Sequence, residues 1–204
     1  MFALVESGSI IKMLNGNKGI TIDGIQHPRA IYTLWTEAER NALGIYTVEY
    51  DNSNKKDEKW YINTNQSYAF GSGKVTATYG TATAKAHADV NFTAQDETDG
   101  LGTEGELKSR GLKYKLIKLV KQEAAAELNK TDWYVVRKSE ESTAIPSSIT
   151  THRRAVRSKA AAMETSITNA SDTAALETLY TYVNTADEGD SVVMARPIGV
   201  IPTL

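Results

Sequence analysis

The densest cluster of chemically capable side chains is His152-Arg153-Arg154, with Arg157 and Lys159 close behind. On a helix, Arg153 and Arg157 are four apart and share a face, and Arg154 lies one step round. Guanidinium groups so placed can hold a phosphate or a carboxylate. The same residues also suit a solvated face opposite an apolar seam at Val156, or ion pairs to Glu140 and Glu141, and that reading is favoured. No nucleophile accompanies His152, so it reads as a partly buried packing residue rather than a base. Glu140-Glu141 sits in the polar run KSEEST beside a turn, where charged pairs face solvent. A glycosidase needs its two carboxylates ~5–10 Å apart across a sugar-sized cleft, which adjacent surface glutamates do not imply. Asp96, Glu97, Asp99, Glu104 and Glu106 have the composition of a calcium site but not the spacing of an EF-hand loop. They read as a hydrated acidic loop. The lysines from Lys108 to Lys121 invite nucleic acid, yet only Tyr114 interleaves them, and no DNA- or RNA-binding signature is present.

Composition narrows the chemistry further. There is no cysteine, which excludes disulfides, thiolate metal sites and cysteine nucleophiles, and 3 histidines make a multi-histidine metal site hard to build. No G-x-S-x-G elbow, Walker phosphate loop or G-x-G-x-x-G occurs. Gly71-Ser72-Gly73-Lys74 lacks the upstream glycine and the following Ser or Thr of a phosphate loop, and reads as a hairpin turn. The residues therefore predict neither an enzyme nor a bound cofactor or metal. A net charge of −2 gives no global pull toward nucleic acid or an anionic membrane. No apolar run reaches the ~18 residues that span a bilayer, and MFALVESGSIIKML lacks the basic start of a signal peptide. The chain is expected to be made and folded in a cytosol without a membrane anchor.

The elements that must position these groups predict an α+β fold. Residues 1–80 read as a small antiparallel β domain. Apolar runs at Phe2–Val5 and Ile10–Leu14 flank a turn, and Ile20/Ile22, Tyr46/Val48/Tyr50 and Val75/Ala77/Tyr79 alternate with polar residues. Trp60–Phe70 and Lys74–Tyr79 read as a hairpin. One short helix starts at the capping box Thr36-Glu37-Ala38-Glu39, stops at Gly44, and is expected to pack through Ala38, Ala42 and Leu43. Residues 81–105 read as a linker or long loop. Residues 106–185 read as helices. One carries the stripe Leu112, Leu116, Leu119, Val120, Ala124 and Leu128. Another carries a heptad-like seam at Val156, Ala160, Met163, Ile167 and Ala170, suited to a helix hairpin or a subunit contact. Asp132 reads as the cap of a short helix or turn, whose Trp133 and Tyr134 favour a core position over an interface. Ser171-Asp172 caps a further helix bearing Leu176, Leu179, Tyr180 and Val183. Residues 186–204 form an extended apolar end that must cover its own chain or dock on another.

Four segments, FALVESGSIIK, WTEAERNALGIYTV, TDWYVVRKSE and IPSSITTHRRAVR, stand in a specific order across residues 2–157. In that order the chain resembles the tail-fibre assembly proteins of tailed bacteriophages and related tail-associated proteins of marine phages. The resemblance implies a non-enzymatic viral protein, assembled in the host bacterial cytoplasm and carried in the tail of the virion, with tail fibre or other tail proteins as partners. Alternatives are a transient fibre chaperone and a receptor- or glycan-binding tip module using Trp60, Tyr61, Tyr68 and Phe70. Fibre contact in such relatives maps here onto Trp133, Tyr134, Arg137, Arg153 and Arg157. The residues add apolar candidates for the same partner surface: Val156, Met163, Ile198, Ile201 and Leu204, with self-association through the seam as a further use. Apolar burial would supply most of the binding energy and the arginines its orientation.

Overall fold

The computed structural model describes residues 1–204, which divide into two compact units, 1–83 and 84–204. The first is strand-rich and the second helical, so the expected α+β class and the order of its halves hold.

In the first unit, β1 (Phe2–Glu6), β2 (Ser9–Leu14), β5 (Ile45–Asp51), β7 (Gln66–Gly71) and β8 (Lys74–Tyr79) form a five-stranded sheet in the order β2-β1-β5-β8-β7. The sheet is mixed rather than antiparallel, because β5 and β8 run parallel with Val48 opposite Val75. A parallel pair needs a long crossover, here the stretch from residue 52 to residue 73 that includes β6 (Tyr61–Ile62) and β7. The two edge strands β2 and β7 approach each other, curling the sheet. Alternation then divides the apolar residues. Ala3, Val5, Val48, Val75 and Ala77 pack on one face with Tyr46, Tyr68 and Phe70 around them. Leu4, Leu14 and Ile45 face the other way. That second face is covered by the small hairpin β3 (Ile20–Ile22) and β4 (Ile25–His27), the 3₁₀ turn at Arg29–Tyr32, and α1 (Glu37–Ala42).

The α1 capping box forms as expected: the Glu39 amide donates to Thr36 Oγ1, and Glu39 Oε2 accepts from the Thr36 amide at 2.7 Å. Gly44 ends it at φ +76°. Ala38 and Ala42, expected to anchor the helix, are exposed. Trp35 and Leu43, at its two ends, pack on the core instead. The hairpin is β7–β8, closed by Ser72-Gly73, and Trp60 lies outside it.

The second unit is built on α3 (Leu112–Asn129) and α5 (Ser147–Asn169), which pack together along their length. Leu112, Leu116, Val120 and Ala124 of α3 are buried, as are Val156, Ala160, Met163 and Ile167 of α5. The heptad-like seam is thus an intramolecular hairpin contact. Leu119, expected in the stripe, is exposed. Between them runs α4 (Asp132–Glu141), and after them α6 (Thr173–Tyr180), whose Leu176 is fully buried. Asp172 caps α6 as expected, accepting from the Ala175 amide at 2.8 Å. Val183, expected on that helix, lies instead in β12 (Val183–Asn184), paired with β13 (Met194–Ala195).

The segment expected as a linker is ordered. It contains β9 (Thr83–Ala84), β10 (Val90–Asn91) and α2 (Ala94–Thr98), and β10 pairs with β11 (Leu107–Ser109), a strand at the start of the stretch expected to be helical. Its work is to satisfy the free amides that begin α3. Ala86 and His87 carbonyls accept from the Leu112 and Lys113 amides, each at 2.9 Å, and Asp89 Oδ1 accepts from the Gly111 amide at 2.8 Å. Residue 111 must be glycine for this approach, since a Cβ there would lie 2.2 Å from the Ala88 carbonyl oxygen. Asp96 binds the segment together, accepting from the Thr93 amide at 2.9 Å and from Lys108 Nζ at 2.6 Å. Those bonds, the Lys108 one foremost, hold its carboxyl down at about 2.

Candidate partner-binding surface

The candidate contact residues separate into a buried set and an exposed set. Arg153 belongs to the first. Its side chain is 9% exposed, and it donates to the Leu128 carbonyl at 2.8 Å, Thr131 Oγ1 at 2.7 Å and Asp132 Oδ1 at 2.8 Å. A guanidinium spans these acceptors because its donors fan out in one plane. Arg153 therefore ties the end of α3 to the start of α4 and is not free to bind fibre or phosphate. Asp132, expected as a helix cap, is spent on this clamp, and the residue before α4 is Thr131, whose side chain caps nothing.

Beside the clamp lies a second polar knot. Glu127, on the buried face of α3, accepts from Lys130 Nζ and from the Leu204 amide at 2.8 Å. These bonds, the Lys130 one first, lower its pKa. His152 Nε2 comes within 3.2 Å of Glu127 Oε1 without a hydrogen bond between them. His152 therefore lies beside the same Glu127 carboxylate that holds the Leu204 amide.

The apolar end covers its own chain. Ile198 is buried, and its amide donates to the Leu179 carbonyl at 3.0 Å. Gly199 lies against Lys159 of α5, and the Leu204 amide reaches Glu127 of α3. The segment is a strap across the helices. Val156, Met163 and Ile198, expected to meet a partner, are thus core residues at 0, 3 and 3% exposure. Ile201 is half-buried, and Leu204 exposes its side chain.

The exposed set is concentrated on α4. No residue of this helix is buried. Trp133, Val135 and Val136 are 51, 44 and 52% exposed, against the expectation that Trp133 and Tyr134 enter the core. The Trp133 and Tyr134 rings lie 3.8 Å apart, and the Arg137 guanidinium sits 4.8 Å from the first and 5.3 Å from the second. The result is an aromatic platform with a cation stacked on it. Arg157 is exposed on α5.

Comparison with family models, curated proteins and solved structures finds no match.

Bulky aromatic residues ahead of Val135-Val136 predict burial of α4, which the structure does not have. The helix is too short, and its apolar residues too widely spread round the axis, to bury them all against one neighbour. The sugar-stacking residues go the other way. Trp60 and Tyr61 are buried, and Tyr68 and Phe70 pack on the sheet core, so they form no open platform for a glycan. No helix is long and apolar enough to cross a membrane.

Proposed function

We propose that this chain is a non-enzymatic structural component of a phage tail, acting through protein–protein contacts, with α4 as the principal contact surface. The observation that carries the reading is the platform of Trp133, Tyr134 and Arg137, flanked by exposed Val135 and Val136 on a helix that buries nothing. Trp, Tyr and Arg are the residue types that dominate interface energetics when a partner desolvates them. The ordered likeness of four sequence segments to tail-fibre-associated proteins supplies the class of partner, and TDWYVVRKSE is the segment that builds α4.

The buried set supports the same reading by a different route. Arg153, Glu127, His152 and the apolar seam hold the helices in place and so present α4 from a firm base. Protein analysis of purified particles tests the proposal. The chain is expected at a fixed stoichiometry in particles carrying tails, and its absence from them would reject a virion role. Absence together with misfolded fibre in cells lacking the chain would assign it to transient chaperoning instead.

A further inference from the structure

The hairpin near the end of the helical unit is open on both sides. β12 and β13 form a two-stranded ribbon with Val183 opposite Ala195, and the Thr185 amide extends the pairing by donating to the Val193 carbonyl at 2.8 Å. Successive side chains of a strand point to opposite faces. Val192, Val193 and Met194 are nevertheless all exposed, at 70, 55 and 53%, so neither face of the ribbon is covered. Tyr182 and Val183 at its root are exposed as well. Two strands with no covered face are marginal in water, and uncovered apolar side chains in a contiguous group mark a contact surface. The tip is acidic. Asp187, Glu188 and Asp190 surround a turn in which the Asp190 amide donates to the Asp187 carbonyl at 3.1 Å, and no basic residue lies between Tyr182 and Ala195.

A surface of opposite character lies on α3. Its outward side carries a groove of about 470 Å³ lined by Tyr114, Ile117, Lys118, Lys121, Gln122 and Ala125, with no carboxylate among them. These residues recur at helical spacing and share one face, turned away from buried Leu112, Leu116 and Val120. Tyr114 is half-exposed, with the Arg110 guanidinium 4.4 Å from its ring. Lys121 faces Glu164 at 3.5 Å, while Lys115 and Lys118 reach into solvent. The groove is thus an apolar strip edged with cations.

Each chain therefore carries both halves of a contact, and within one chain neither half covers the other, since both stay exposed. We propose that the ribbon of one copy docks on the α3 groove of the next, with Val192 and Met194 against Tyr114 and Ile117 and the acidic tip toward Lys115 and Lys118. Charge complementarity selects this occupant. Ribbon paired on ribbon leaves the acidic tips without counter-charge, and groove on groove sets lysines against lysines. The two surfaces differ, so the contact repeats from copy to copy and ends in a closed ring or an open filament. A ribbon of this size buries less than a standard interface, so each contact is weak alone and gains from repetition. The inference stands independently of the tail reading, since it uses α3 and the ribbon and leaves α4 free.

The test is sedimentation of the full-length protein from ~5 to ~300 µM, a range that spans weak interfaces. The wild-type chain is expected to grow with concentration past a dimer, and to associate several-fold less when salt rises from ~0.05 to ~0.5 M. Val192→Glu with Met194→Glu disables the ribbon, and Tyr114→Glu with Lys118→Glu disables the groove. All four side chains are exposed, so the helical signal should stay as in the wild type. Each double variant alone is expected to remain monomeric. An equal mixture of the two is expected to form a dimer and stop there, because one intact ribbon meets one intact groove and the remaining faces are disabled. A wild type still monomeric at ~300 µM would overturn the proposal. So would association retained by either variant alone, or a mixture that stays monomeric. The chain has no cysteine, which permits a second readout that disables neither face. Under mild oxidation, Val192→Cys protein mixed with Gln122→Cys protein should give the mixed disulfide several-fold above its statistical yield, and a statistical yield would overturn the proposal.

Discussion

Replacing Arg153 with alanine examines the clamp on which the helical unit rests. The substitution removes the guanidinium and its buried stem. Thr131, fully buried, loses the donor to its hydroxyl oxygen, and the Leu128 carbonyl loses one of its partners. The loss at Leu128 is softened, because that oxygen also accepts from the Thr131 amide at 3.0 Å and from Thr131 Oγ1 at 3.0 Å. The contact with Asp132 counts for little, since that carboxylate is 51% exposed and water replaces the guanidinium. Hydrogen bonds to a charged group contribute about 1.5–3 kcal/mol each where desolvated. One such bond lost in full, one in part, and the aliphatic packing together predict about 2–4 kcal/mol of destabilisation. Arg153→Lys should cost about half as much, as one ammonium cannot span acceptors on both sides of the α3–α4 junction. Urea unfolding followed at 222 nm measures both. A loss below ~0.5 kcal/mol for the alanine variant, the level of an ordinary surface change, would refute the clamp.

Other outcomes follow from the same geometry. Met163→Asp places an unpaired carboxylate in the α3–α5 seam and should cost about 3–5 kcal/mol, read as early melting of helical signal; unchanged stability would mean that Met163 faces solvent. Acid should weaken the fold in a defined window. The carboxyls of Glu39, Asp89, Asp96, Glu127 and Asp172 all lie below their ordinary values, so they stabilise the folded state while ionised. That contribution is complete above pH ~5 and disappears as pH falls toward the Asp96 value of about 2. Asp96→Asn should shrink the fall, and identical acid curves for the variant and wild type would contradict the assignment. Glu127→Gln weakens the hold on the strap, and amide exchange at residues 198–204 is expected to quicken about tenfold or more, with α3 little changed; unaltered exchange would show that Glu127 does not retain the chain end.

What could be seen in the sequence was what is local. The Thr36 box, the Asp172 cap and the Val156–Ile167 repeat depend on residues within a turn or two, and each forms as read. Pairings across long separations left no such mark. The parallel union of β5 and β8 is not encoded in either strand's alternation. Residues 86–89 read as a loop because they are aperiodic, yet the main-chain carbonyls of Ala86 and His87, with the Asp89 carboxylate, are what the amides of α3 require. By composition Arg153 belongs with Arg154 and Arg157. Only the packing of α5 on α3 turns it inward while its neighbours stay in solvent. Trp133 departs from its expected place for the converse reason: hydrophobicity favours burial, but a neighbour must supply the covering face, and no residue of α4 is buried.

Hydroxyl-radical footprinting of Trp133 in the free chain and in tail-bearing particles reports on whether α4 is the contact surface. The ring is half-exposed in the free protein and should oxidise readily there. If α4 is the contact surface, assembly will protect Trp133 and Tyr134 several-fold while exposed Tyr50 of the first unit keeps its rate. Equal oxidation of Trp133 in both states would mean that α4 is not the surface the tail covers.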